Sequence, residues 1–423
     1  MKAFRMSACL LAAALLSASL CAAQTFTGKA QSWVRGEFRD GALPEKGADY
    51  AMFVMGNTLL TLDYANPWLE ARFAPKYFGV WGASANGNLA IDEAWFSLRS
   101  PGGLFVRMGR QRLSYDDQRI MGADDWAMTA KTHDVLKMGY EGRVHKLHLL
   151  LAFNQNNENR DGGTYYTNGG QAYKSMQTLW YHVDPLPWLG ASLIGMNMGM
   201  QDMMTKENVT RYQQLFGAFL DLHPKHFSLQ ASYYRQTGED EYTLPIHAWM
   251  TSVESAWQPG PRFKLQAGYF YMSGDPYYFA PKEGAIGMAR KTEVRGFNPI
   301  FGSHHKFYGA MDFFYVTTYY GGNTPGLQDA HIGAQWSPLE RLDLLATYHY
   351  LATGIALEFA GRTLGHELEL SLTWRIFPDV KLQAGYSSMF GTEALTRLKR
   401  SSEENHLRWA WLMLTVSPEL FRL

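Results

Sequence analysis

The 423-residue chain has only two cysteines, Cys9 and Cys21, and from Gln24 onward it has none. That absence excludes disulfides and Cys-based metal sites from the rest of the chain. No apolar run after Gln24 approaches the roughly 20 residues that a membrane helix needs. A surplus of charge is missing too. With 39 basic and 39 acidic residues there is no global field to recruit nucleic acid, so any electrostatic function has to be local. Finally, no Pro/Ser-rich linker or shift in composition divides a length that would ordinarily make two or more soluble domains.

The N-terminus sets the compartment. Lys2 and Arg5 precede an apolar run from Ala8 to Leu20, and Cys21-Ala22-Ala23 offers small residues before Gln24. This is the pattern of a secretory signal peptide, and about 13 apolar residues are too few to span a bilayer. Residues 1–23 are therefore expected to be a signal peptide and residues 24–423 a single unit.

What is abundant is aromatic and small: 13 Trp, 24 Tyr, 24 Phe and 40 Gly, in a chain of mildly polar mean hydropathy. A membrane barrel predicts that combination, because only alternate residues of its strands face lipid. The alternation is visible. Phe227, Leu229, Ala231 and Tyr233 interleave with Ser228, Gln230 and Ser232, and Phe263, Leu265, Ala267 and Tyr269 with Lys264, Gln266 and Gly268. The same period of two runs through Leu342 to Tyr350 and His366 to Ile376 and marks strands with one wet face.

A soluble sandwich would alternate as well, but it has no reason to sort its connections by length. Here short proline-bearing turns (Asn66-Pro67, His223-Pro224-Lys225-His226, Gln258-Pro259-Gly260-Pro261, Phe377-Pro378-Asp379) alternate with long polar loops such as Asn154 to Gly170, Gly274 to Tyr308 and Gly391 to Asn405. The expected fold is all-β: a single transmembrane antiparallel β-barrel with short periplasmic turns and long extracellular loops. About 18 strands are expected, within a range of 16–18, because the segments around Trp188 to Met200 and Ile246 to Trp257 alternate poorly. Trp68, Tyr77, Trp81, Trp180, Trp188, Tyr269, Tyr271, Trp336 and Trp374 lie near strand ends, as interfacial girdles would.

Against this background Gly109 to Gly142 is unusually rich in Arg and Asp. Val106 and Met108 keep the strand period, yet Arg110 and Arg112 fall in phase with them. Either a bulge near Gly109 shifts the register or the strand has left the hydrocarbon zone. Charges facing lipid at mid-depth cost about 2–4 kcal/mol each, which favours lumen or rim. The candidate pore residues are Arg110, Arg112, Arg119, Asp116, Asp117, Asp125 and Lys131. Two roles are open to them. Arg forks could pass a polyanion from one to the next, or Arg110, Arg112 and Arg119 could pair with Asp116, Asp117, Asp124 and Asp125 in mutual neutralisation. His305, Lys306 and Asp312 are candidates for a constriction formed by the long loop.

Catalysis is not expected. Adjacent carboxylates on a strand point to opposite faces, which spoils the doublets Asp116/Asp117 and Asp124/Asp125 as acid–base pairs. His304 and His305 with Asp312 lack a spaced ligand set, so neither a metal nor a cofactor is expected.

Three segments carry a family resemblance. Gly109-Arg110-Gln111-Arg112-Leu113-Ser114-Tyr115-Asp116-Asp117-Gln118-Arg119, followed by Gly122, Asp125-Trp126 and Thr129, resembles the signature of the alginate-export family of bacterial outer-membrane channels. So do Asn298 to Gly302 with His305 to Gly309 and Met311-Asp312, and then Leu364 to Leu368 with Gln383 to Ser387. The order is the same as in the family. The resemblance implies one barrel of about 18 strands in the outer membrane of a Gram-negative bacterium, passing an anionic oligo- or polysaccharide. Its surroundings would be lipid and lipopolysaccharide, and the barrel-assembly machinery would insert it. A general small-solute porin is the alternative, an outer-membrane barrel enzyme a more distant one.

Overall fold

The structure, a computed structural model, describes residues 24–40, 49–83, 87–123, 126–158, 160–161, 165–166, 170–205, 207–275, 292–314, 324–357, 360–399 and 406–423. The expected signal peptide and Asp124-Asp125 lie outside the described residues. Each strand pairs antiparallel with its sequence neighbours from β1 (Thr25–Asp40) to β18 (His406–Val416), and β1 pairs with both β2 (Ala51–Ala65) and β18. The sheet closes on itself. Pro418, which has no N–H to donate, separates β18 from a short continuation, β19 (Glu419–Arg422), that still pairs with β1. The fold is a closed 18-strand antiparallel barrel, and closure leaves no unpaired backbone facing lipid.

Connections sort by length as expected. Turns such as 187–188, 261–262, 340–341 and 378–379 close one end, while the long connections leave the other, after Gln111, Phe153, Met272 and Gly391. A short helix, α1 (Glu393–Lys399), lies in the last of these. Trp68, Tyr77, Trp81, Trp188, Tyr269, Trp336 and Trp374 are exposed on the outer face near strand ends, as girdles. Trp180 is the correction: it is 7% exposed and points inward, its indole N–H donating to Asp116.

The poorly alternating segments have a physical reason. In β9 (Leu189–Gln201) the inward residues Ile194, Met196 and Met198 are buried, and in β12 (Ala248–Gly260) Met250 is fully buried. Both strands back onto loops that fold into the bore and bring an apolar core with them, including Leu113, Ile120, Met121, Phe297, Phe301 and Tyr308. An inner face that meets protein instead of water has no need to be polar, so the period of two fades there. Each buried side chain of this size contributes about 1.5–3 kcal/mol.

The facing of the regular strands yields a direct test. Leu265 and Leu370 are exposed on the outer face, whereas Glu369 accepts the Ala310 N–H from a loop inside the bore and Gln266 has the opposite phase to Leu265. With no native thiol after Cys21, single cysteines at Leu265 and Leu370 should react with a bilayer-confined maleimide and those at Gln266 and Glu369 should not. The reverse labelling would mean that the strand register is wrong.

Candidate functional site: a lumen crossed by two loops

β5 (Leu104–Gln111) carries the Arg-rich motif into the bore. Gly109 sits at a φ of +125°, where an added Cβ would collide with the Ala94 carbonyl across the β4 (Asn88–Arg99) ladder. The pairing nonetheless runs on without a bulge, Gly109 opposite Val135 and Arg110 opposite Asp134 of β6 (His133–Glu141). Arg110 therefore stays on the outer face with Val106 and Met108. It is at the extracellular end of the strand, where Nε and Nη2 bond both oxygens of Asp134 at 2.9 and 2.7 Å. The expectation that Arg110 lines the pore is corrected: the strand has left the hydrocarbon zone, and a bidentate partner holds the charge at the rim.

Arg112 lies beyond the end of β5 and turns inward, bonding Asp92 Oδ2 through Nε at 2.8 Å. From there residues 112–132 cross the bore. Trp180 of β8 (Ser175–Leu186) holds Asp116. Arg119 Nη2 reaches Glu254 of β12 on the far wall while Nε takes Asp117 Oδ2 at 3.0 Å, and the guanidinium has 1% of its surface exposed. It also lies over the rings of Phe270 and Phe307. Returning, the loop offers the Trp126 carbonyl to Arg35 Nη1 of β1 at 3.0 Å and the Met128 carbonyl to Asn57 Nδ2 of β2 at 3.2 Å.

The second loop, 273–326, docks on the first. Met121 and Phe301 form a parallel bridge, Lys131 Nζ donates to the Gly302 carbonyl at 2.5 Å, and Lys306 Nζ to the Asp117 carbonyl at 3.1 Å. His305 stacks on Trp126 at 4.1 Å between ring centres and bonds Asp312 at 2.8 Å. Opposite, the Met311 N–H donates to Glu367 and the Ala310 N–H to Glu369, both on β16 (Gly361–Phe377). Gly309, at a φ of +86°, is needed there because a Cβ would strike the Glu367 carboxylate. Burial pushes the Lys306 ammonium below the usual lysine range, against the pull of Asp117. Burial raises Asp116, against hydrogen bonds from Ser192 and Trp180.

The predicted charges thus divide. Arg119, Asp117, Lys131 and Lys306 are fasteners within and between the loops. Asp116 and Asp117 point to different partners, and Asp125 is outside the described residues. Arg112 alone of the three arginines borders open lumen, and it does so with residues the motif did not include. Between the first loop and the wall lies a cavity of about 310 Å³ lined by Arg35, Lys76, Arg112 and Lys381, with Trp33, Trp126, Asn57 and Gln383. Lys76 shares Asp92 with Arg112, and Glu37 stands behind Arg35. Lys381 has no carboxylate partner among the described residues, and no carboxylate lines the cavity. An inward period of two on β1, β3 (Leu69–Val80) and β17 (Val380–Gly391) was the one signal that could have singled out Arg35, Lys76 and Lys381, but it does not say that they meet.

A closed barrel with girdles, sorted loops and a loop-narrowed bore defines an outer-membrane channel. The alginate export family description matches residues 83–352, and the chain belongs to that family. Solved structures share the barrel: Pseudomonas aeruginosa OpdO at 14% identity and a TM-score of 0.60, covering 94% of this chain and 98% of that one. Pseudomonas aeruginosa OccK9 (OpdG) superposes with a TM-score of 0.62 at 12% identity over 93% and 98% of the two chains. Acinetobacter baumannii OccAB1 gives 0.62 at 10% over 94% and 97%. At these identities the likeness is one of fold. No individual curated protein matches the sequence.

Arg119→Ala would leave Asp117 and Glu254 without their buried counter-charge, a loss of about 3–5 kcal/mol in loop docking. The barrel should still form, and its single-channel conductance should rise and become noisier, while Arg110→Ala leaves conductance unchanged. An unaltered trace from Arg119→Ala would contradict the fastener role.

Proposed function

We propose that the channel passes anionic, carboxylate-bearing saccharides by diffusion, through the cationic gap between the crossing loop and the wall formed by β1–β3, β17 and β18. The observation that carries this reading is the cavity bordered, among the described residues, by four cations and no carboxylate. Among the described residues Asp92 is shared between two of those cations and Lys381 has no carboxylate partner, which makes the local charge positive in a nearly neutral chain. Guanidinium forks match carboxylates through two hydrogen bonds, and the ammonium groups add point charges. Charged side chains at a narrow point raise the local concentration of the opposite ion and set selectivity. The alginate export family is consistent with a uronate-bearing solute.

A second reading, a porin for small anions, is favoured by the crossing of the bore by residues 112–132. With the loop in place the gap suits a short acid better than a polymer. Neither reading requires catalysis.

Proteoliposome swelling tests both. Swelling should be faster in a uronate than in a neutral sugar of equal size, and Arg112→Gln with Lys381→Gln should remove the preference without abolishing swelling. A wild-type channel that prefers the neutral sugar would end the proposal. Comparing monomeric with oligomeric uronates separates the two readings.

A further inference from the structure

About a quarter turn around the barrel from the cationic gap, β14 (Leu327–Leu339) and β15 (Leu342–Leu357) place Asp329, His331 and His349 together. Asp329 and His331 are two residues apart on one strand and so share its inward face. His349 stands directly across the ladder from His331. One donor atom of each lies within 4.8 Å of the other two. The outer nitrogens are already anchored: His331 Nε2 bonds Glu254 at 2.9 Å, and His349 Nε2 lies 3.4 Å from Glu369. Both Nδ1 atoms are thereby turned toward one carboxylate, His349 Nδ1 at 2.9 Å from Asp329 Oδ1 and His331 Nδ1 at 3.4 Å from Oδ2. His331 Nδ1 is buried and makes no hydrogen bond.

We infer that Asp329, His331 and His349 form a binding site for a divalent transition-metal ion, with Zn²⁺ the best match. Two imidazole nitrogens and one carboxylate suit that class of metal. Ligands about 2.0–2.1 Å from a tetrahedral Zn²⁺ sit about 3.3 Å from one another, so the 2.9 and 3.4 Å contacts of Asp329 need only small shifts to admit the ion. Carboxylates on the remote imidazole nitrogens fix ring orientation and strengthen the ligand, the usual support of a histidine metal site, and Glu254 and Glu369 occupy those positions. Glu369 places a further carboxylate beside His349. Arg119, bound to the other oxygen of Glu254, opposes it but is itself neutralised by Asp117. His331 is the most exposed side chain of the three at 14%.

The arrangement has a bland competitor, in which the histidines are protonated and simply neutralise Asp329. Cobalt separates the two. The full chain, without a polyhistidine tag and stripped with chelator in detergent, is titrated with CoCl₂. The expected result is one equivalent of Co²⁺ with visible d–d absorption, bleached by an equivalent of ZnCl₂. His349→Gln should abolish the bands, and Glu369→Gln, which can still accept the Ala310 N–H, should weaken binding about 10–100-fold. Heat-modifiable gel migration checks that each variant is folded. If either fails that check, His331→Gln and the wild-type titration decide. A wild-type protein with no stoichiometric band, or a folded His349→Gln protein that keeps it, overturns the site.

Discussion

The interior depends on one guanidinium removed from water. Arg119 lies at the tip of a loop that starts on β5 and ends on β6, yet its partners are Asp117 beside it and Glu254 on the opposite wall. Burying a charge costs several kcal/mol unless its partners are well placed. Here the partners also determine where the loop can sit. A shorter or differently charged side chain would leave the Asp117 and Glu254 carboxylates without the guanidinium that joins them and would give up its contacts with the Phe270 and Phe307 rings. The ion pair thus acts as a specific fastener across the bore more than as a source of net stability.

From that fastener the lumen divides into two chemically different halves. Glu254 also accepts from His331, which faces Asp329 and His349, and Glu369 beyond them takes the Ala310 N–H of the second loop. The acidic and histidine side chains of β12 and β14–β16 are in this way committed to holding loops and one another. The cations of β1, β3 and β17 face the remaining gap instead, with counter-charges behind Arg35 and Lys76 and none on Lys381 among the described residues. A chain with no net charge can thereby present a positive passage, since what a solute meets is the arrangement of charge and not its sum.

Much of the barrel was legible because lipid imposes a strict rule: outward residues such as Leu265, Leu370 and Trp374 must be apolar, so the strand period and the girdles are written locally. The rule lapses where β9 and β12 meet the in-folded loops, and there Met196, Met198 and Met250 obscure the pattern. In sequence Trp180 is indistinguishable from a girdle residue, because a tryptophan near a strand end satisfies both environments equally. The site was less legible still. Arg110, Arg112 and Arg119 look alike in sequence, but one ends on the outer rim, one in the gap and one fully buried, because the strand stops between the first two and the loop reverses before the third. Lys381 meets Arg112 only through closure of the barrel, and His349 meets His331 only through the register of two strands. Neither long-range fact has a local signature.

The most direct measurement is the reversal potential of the wild-type channel in a planar bilayer under a KCl gradient. Conduction past Arg35, Lys76, Arg112 and Lys381 predicts a preference for chloride that weakens as salt rises and the Debye length shortens from about 10 Å at 0.1 M to about 3 Å at 1 M. A channel that prefers potassium at low salt would mean that ions pass along the acidic wall, and the assignment of the passage would be wrong.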